Sequence, residues 1–204
     1  MLALAAANQD RMDILGVITV RGAGNLDTAA RKVLDLTEIF GLDVPVAKGA
    51  ASSVLGSAAL KENPSEDKTE ERFELPSSEK KEETENGILY MKRLLEALPE
   101  GEKAVLAATG PLTDIALLLR VFPEVRNRIE QVVFMGGSLS GGNYTEAAEF
   151  NFYQDPEAAK MLFHEKLPLE MCIRDRNHPW YYPGFSSAYV SQRLCTGSGN
   201  RRRY

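Results

Sequence analysis

Residues 131–159, QVVFMGGSLSGGNYTEAAEFNFYQDPEAA, decide the fold. Val132 to Met135 is an uninterrupted apolar run that stops at Gly136-Gly137, as a buried parallel strand does where it hands its chain to a loop. Ligands of open α/β sheets collect at that edge. Beyond the glycines come Asn143, Glu149 and Asn151, then Asp155-Pro156-Glu157, which reads as N-cap, N1 and N2 of a new helix. Three polar side chains are thus expected between a strand and a helix. Two amides and a carboxylate suit a polyhydroxylated ligand, because an amide donates and accepts at once while a carboxylate accepts from neighbouring hydroxyls. A surface loop whose Asn and Gly residues merely turn the chain is the plainer alternative.

Upstream, the same strand, turn and helix recur. Ile14 to Val20, ILGVITV, is continuously apolar and β-branched, the mark of a strand covered on both faces. Gly22, Ala23, Gly24 and Asn25 turn the chain into a helix from about Asp27 to Phe40, with Ala30, Val33, Leu34, Thr37 and Phe40 on one side and Gly41 at C′. Gly22 and Gly24 are only a GxG, and the third glycine of a dinucleotide loop would fall at Asp27, so they read as turn formers. A short strand, Val44 to Ala47, follows. Asn86 or Gly87 starts a helix whose Ile88, Met91, Leu94, Leu95 and Leu98 form a core stripe. Lys103 to Ala108 is a buried strand, and Thr109-Gly110-Pro111 leads into a helix through Leu119 that the Thr109 side chain is placed to cap. After Asp155 the helix carries Ala158, Met161 and Leu162 and ends near His164, and Leu167 to Met171 starts one more strand. Short loops between such elements imply an open, mostly parallel, Rossmann-like α/β sheet with helices on both faces. Asn25, Thr109 and the stretch 143–151 all follow strands, so that topology gathers them on one edge.

The 204 residues suffice for one core, and 44% hydrophobic with 26% charged residues is ordinary for a soluble globular chain. A formal charge of −5 gives no reason to expect nucleic acid or an anionic membrane as partner. No apolar run reaches the roughly 20 residues of a membrane helix, and the opening MLALAAANQD lacks the basic start of a signal peptide. Cys172 and Cys195 form no disulfide framework, so a reducing cytoplasm is expected. Residues 61–86 hold ten acidic and five basic side chains and read as a charged surface insertion. From residue 173 the pattern breaks: residues 173–204 net +5 through six arginines and one aspartate, the reading of a disordered or artefactual tail. CIRDR, at 172–176, resembles translated sequencing-adapter text, and the natural chain is expected to have been lost at about residue 172.

The string MGG with Asn143, EFN at 149–151 and DPEAA at 155–159 resembles the signature of the inosine-uridine preferring nucleoside hydrolases. ATGPLTDIALLLRVFPEV at 108–125 and ILGVITVRGAGNL at 14–26 resemble the same family in the same order, and the likeness covers most of residues 1–60 and 87–171. It implies hydrolysis of the N-glycosidic bond of ribonucleosides to ribose and free base, a role in nucleoside salvage, and a homo-oligomer. It implies that Asn143, Glu149 and Asn151 grip the ribose hydroxyls, with Phe150 packing nearby and Asn25 assisting. The backbone carbonyl of Thr109 would be one ligand of a calcium ion, a hard cation that accepts neutral oxygens. The family's N-terminal D-x-D-x-G-x-D-D motif is not seen: Asp10 and Asp13 precede the first strand, while Asp175 and His178 lie in the unlike tail. A fragment truncated at both ends is therefore expected, retaining the sugar half of the site, lacking the metal half, and leaving the catalytic residues unassigned. The alternative is a catalytically inactive ribose or nucleoside binding module.

Overall fold

The computed structural model describes residues 7–8, 11–22, 25–56, 77–139 and 141–173. Expectations about the opening segment with Asp10, about residues 61–76 and about residues 174–204 with Asp175 and His178 lie outside these. In chain order the elements are β1 (Val17–Thr19), α1 (Leu26–Ile39), β2 (Val46–Lys48), α2 (Gly87–Glu96), β3 (Ala104–Ala108), α3 (Thr113–Val121), a 3-10 turn (Pro123–Arg128), β4 (Ile129–Met135), α4 (Phe150–Gln154), α5 (Pro156–Phe163) and β5 (Leu169–Cys172).

All strand pairs are parallel, as alternation of strand and helix with short loops requires. They form two sheets, β1-β2 and β3-β4-β5. β1 is shorter than the apolar run 14–20 because pairing exists only where Val17 to Thr19 meet Val46 to Lys48. β4 is central in the larger sheet, with Val132 opposite both Leu106 and Leu169. Its Ile129, Val132 and Phe134 are nearly inaccessible, consistent with an apolar run buried between layers.

α3 is the centre of the packing. Its Ile115, Leu118 and Leu119 meet Met91 and Leu95 of α2 and Ala158 and Leu162 of α5 in one cluster with Val132 and Phe134. Each such Leu or Phe side chain contributes about 1.5–3 kcal/mol on leaving water. Tight approach needs glycine at Gly136, where a Cβ would overlap the Phe152 ring. The Phe152 and Phe134 rings stack at 6.1 Å just beneath the end of β4.

Helices start close to where the sequence placed them, with side-chain caps at Asn25 and Asn86 that it did not name and one at Asp155 that it did. Asn25, Asn86 and Asp155 accept from Asp27, Ile88 and Ala158 N–H at the three N-caps, and Gly41 follows the Phe40 C-cap with φ +61. One cap differs: α3 begins at Thr113 after Leu112, with no side-chain cap, so Thr109 does not cap it. The described end of the charged segment is docked on the domain. Ser78 N donates to the buried Asp35 (2.8 Å), Lys80 Nζ to Leu42 O (2.8 Å), and Glu83 N to Val46 O (2.8 Å).

Candidate functional site

Beyond the carboxyl ends of β1, β3 and β4 come Gly22 and Asn25, Thr109–Leu112, and Gly136–Leu139 with Gly141–Ala148. Parallel pairing of β3 and β4 brings the last two to one side of their sheet, Gln154 links Gly22 to them, and the site is built from what these segments carry.

The turn after β4 is closed on itself. Three successive amides, Asn143 N, Tyr144 N and Thr145 N, point at Ala148 O at 3.1–3.3 Å, and Ala147 N and Ala148 N donate to Thr145 Oγ1. Gly142 has no room for a side chain, since a Cβ would overlap the carbonyls of Ala148 and Thr145. Gly137 adopts φ +71, a conformation glycine takes without strain.

Glu149, Phe150 and Asn151 were expected in a loop, and the structure places them at the start of a helix. Glu149 is the N-cap of α4, and its carboxylate, 2% exposed, accepts from Gly137 N (3.1 Å), Asn151 N (3.0 Å) and Phe152 N (3.1 Å). A buried carboxylate is stable only when its lone pairs are met, and three amides meet them here. Glu149 thus joins the end of β4 to α4, a structural role that the sequence pattern did not reveal. The missing signal is Gly137, a donor twelve residues away in the chain.

Asn151 joins two strands. Its Nδ2 donates to Thr109 O (3.1 Å), past β3, and to Met135 O (3.0 Å), the last residue of β4. That leaves its Oδ1 as an acceptor without a donor among the described residues. Asn143 is exposed and has the opposite polarity: its Oδ1 accepts from Phe150 N (2.8 Å), leaving Nδ2 to donate. A donor amide and an acceptor amide within one short segment match a ligand carrying more than one hydroxyl.

α4 turns about 100° per residue, so Tyr153, Phe150, Gln154 and Asn151 follow one another around it, from the exposed aromatic side to the buried polar one. Tyr144 packs on Phe150 (5.5 Å between centroids) and on Tyr153 (4.5 Å), which ties the turn to the helix. Asn25 lies on the other sheet, exposed, with its Oδ1 capping α1 through Asp27 N (2.7 Å). The structure therefore brings Thr109, Asn143, Glu149, Phe150 and Asn151 into one connected set. Asn25 is not joined to that set by a bond of its own; on its side of the molecule Gly22 O accepts from Gln154 Nε2 (3.5 Å).

Two acids lie beneath this edge: Asp155, read from sequence as an N-cap, and Asp114, which the sequence reading did not single out. Asp155 Oδ2 accepts from Thr113 Oγ1 (2.6 Å) and Val54 N (2.9 Å). Asp114 Oδ1 accepts from Ala50 N (2.7 Å), and burial pushes its carboxyl up to about 6. Nothing in the sequence around Asp114 distinguishes it from an ordinary first-turn acid.

The described donors do not fit a divalent cation. Thr109 O accepts one bond, from Asn151, and keeps a second lone pair, while the oxygens of Glu149 and Asp155 are committed to backbone amides and Thr113. No group of three or more His, Cys, Asp or Glu placed to hold a metal occurs among the described residues. His164 is exposed at the far end of α5, with Nδ1 2.7 Å from Lys160 O.

Comparison with known proteins gives a consistent result. The family model described as inosine-uridine preferring nucleoside hydrolase matches residues 1–194, past the break in pattern at 172. The pyrimidine-specific ribonucleoside hydrolase RihA of Citrobacter koseri is 33% identical over 178 residues, covering 87% of this chain and 56% of that protein. The non-specific ribonucleoside hydrolase RihC of Salmonella enteritidis is 33% identical over 171 residues, 84% of this chain and 55% of that protein. Among solved structures, a purine-preferring ribonucleoside hydrolase from Gardnerella vaginalis superposes with a TM-score of 0.73 at 29% identity, covering 83% of this chain and 55% of that one. The chain spans about half the length of the curated relatives it matches.

Proposed function

This chain belongs to the inosine-uridine preferring nucleoside hydrolase family, and from that premise we propose that its site binds the ribose of a nucleoside and that the protein hydrolyses the N-glycosidic bond. The observation that carries the proposal is the paired polarity of Asn143 and Asn151 beside the buried Glu149.

Breaking the glycosidic bond develops positive charge on the ribose ring, and fixed dipoles or carboxylates near the sugar lower that barrier. The Glu149 carboxyl group is met by three backbone amides, with no cationic side chain paired to it among the described residues, so its field acts on whatever lies at the edge. Its geometry is set before ligand arrives, because both strand and helix hold it. Asn151 presents an acceptor and Asn143 a donor, each fixed by a backbone partner. On the adjoining side the Tyr144 ring packs on those of Phe150 and Tyr153.

Calcium is part of the family expectation. The described donors do not assemble a site for it, and no step here passes through a metal. That same observation favours a second reading, a ribose or nucleoside binding module without turnover. A homo-oligomer in a reducing cytoplasm, serving nucleoside salvage, completes the proposal. Among the described residues no helix is long and apolar enough to cross a membrane.

The test is incubation of the purified protein with inosine and with uridine, with and without added calcium, following release of reducing sugar while titration calorimetry measures binding. Sugar release supports the hydrolase. Saturable binding without release supports the binding module, and absence of both refutes the site.

A further inference from the structure

The site is drawn from two sheets that share no strand pairing among the described residues: Asn25 follows β1, whereas Thr109 follows β3, and Asn143, Glu149 and Asn151 follow β4. Side chains join the sheets at the ligand edge. Gln154 Nε2 reaches Gly22 O at 3.5 Å, Asp155 Oδ2 accepts from Val54 N at 2.9 Å, and Asp114 Oδ1 accepts from Ala50 N at 2.7 Å. The bond to Asp114 is the shortest of these and is relayed onward. Ala50 O accepts from Arg21 N (3.0 Å), so the residue two past β1 hangs on the turn that Asp114 holds.

The fit around this bond leaves no slack. A Cβ at Gly49 would overlap the Asp114 carboxyl, and one at Gly87 would press on Ile18 Cγ2 at 2.7 Å and on Gly49 N at 2.9 Å. Asp114 itself is 5% exposed. Among the described residues no charged group acts on its carboxyl, Lys48 beside the 49–50 turn being paired with Asp27 and Glu82. On α2, Lys92 pairs with Glu96 and Arg93 with Glu85; in the 3-10 turn, Arg126 pairs with Glu165. Neither these groups, nor Glu124 and Arg128 of that turn, nor Glu157 and Lys160 of α5 contribute to its titration, which is governed by burial opposed by the Ala50 amide. Asp155, also on α5, is turned to Thr113, Val54 and Ala158.

We propose that Asp114 is a positioning residue, whose protonated carboxyl holds the 49–50 turn and through it the Asn25 end of the smaller sheet in place against the ribose-gripping segment, and whose ionisation loosens that join. The proposal rests on the ribose-binding reading of Asn25, Asn143 and Asn151.

The direction follows from solvation. Closed, the carboxyl titrates near about 6; opened to water, it returns toward the ordinary 3.8. Ionisation therefore favours the open join, by up to on the order of 100-fold in population.

The test is hydrogen exchange at the Ala50 amide from about pH 5 to about 7.5, corrected for intrinsic base catalysis, together with calorimetric ribose affinity, in the wild type and in Asp114→Asn. In the wild type, Ala50 protection is expected to fall about 10- to 100-fold through pH ~6, with ribose affinity weakening in step. Asp114→Asn, whose neutral amide oxygen still accepts from Ala50, is expected to show neither change. Protection of Ala50 that does not vary with pH in the wild type overturns the proposal, and this reading needs no variant to fold. An equal fall in Asp114→Asn overturns it too. If ribose binds neither protein at any pH, the ribose-binding reading falls, and the Ala50 exchange alone then supports or overturns the join.

Discussion

Replacing Glu149 with alanine is expected to destabilise the domain more than any other single change at the site. The carboxylate is 2% exposed and accepts from Gly137, Asn151 and Phe152 N–H at 3.0–3.1 Å. Hydrogen bonds to a charged acceptor contribute about 1.5–3 kcal/mol each. The three do not add in full, since truncation lets water reach the first-turn amides of α4. Gly137 N is less easily rescued, because Phe152 and Met171 lie within 3.4–3.7 Å of where its Cβ would be. A net loss of about 3–5 kcal/mol follows. For a chain of 204 residues, at about 2–4 °C per kcal/mol, the melting midpoint should fall by about 6–20 °C. Glu149→Gln keeps one acceptor but sets an NH2 against a donor, so roughly half that loss is expected. Thermal and urea unfolding followed by circular dichroism measures both. An alanine variant melting within about 2 °C of the wild type would refute the structural role of the carboxylate. Lost ribose affinity in a variant of unchanged stability would then assign Glu149 to the ligand alone.

Asp114 also makes stability depend on pH. Its folded carboxyl is raised to about 6 from 3.8, so its contribution is fully present below about pH 4 and is lost as pH rises through about 6, a change of about 3 kcal/mol. Urea titrations across that range should show the decline in the wild type and its absence in Asp114→Asn; parallel curves would contradict it. Gly136→Ala forces a methyl into the Phe152 ring and should cost about 1–3 kcal/mol, read as a lower urea midpoint. Asn25→Ser keeps a cap acceptor for Asp27 N, so the melting temperature should hold while ribose affinity drops; an unchanged affinity would limit Asn25 to capping.

Local signals were legible in the sequence where one residue and its near neighbours determine the outcome. Asn25, Asn86 and Asp155 cap helices because each side chain reaches an amide two or three residues on, and Gly41 ends α1 because it tolerates positive φ. The stripe in α2 was legible for the same reason, with Met91 and Leu95 buried as spaced. What was hidden depends on partners distant in sequence. α4 has five residues, too few to show a period, and its cap is completed by Gly137 across the turn. The separation into two sheets leaves no mark on periodicity, since a strand's residues record how deeply it is buried and not which neighbour lies beside it. Ser78 and Lys80 sit in a charged stretch typical of solvated loops, yet Asp35 and Leu42 O hold them down.

β5 has its own practical consequence. It pairs with β4 on one side, and no described residue pairs with the other. Met171, on β5 itself, is 37% exposed. Unmatched strand backbone next to apolar side chains is a template for a further strand. For anyone handling the protein, concentration thus becomes a variable to watch as closely as temperature. Light scattering across a dilution series should accompany each affinity measured at the opposite edge, so that self-association is not mistaken for loss of ligand.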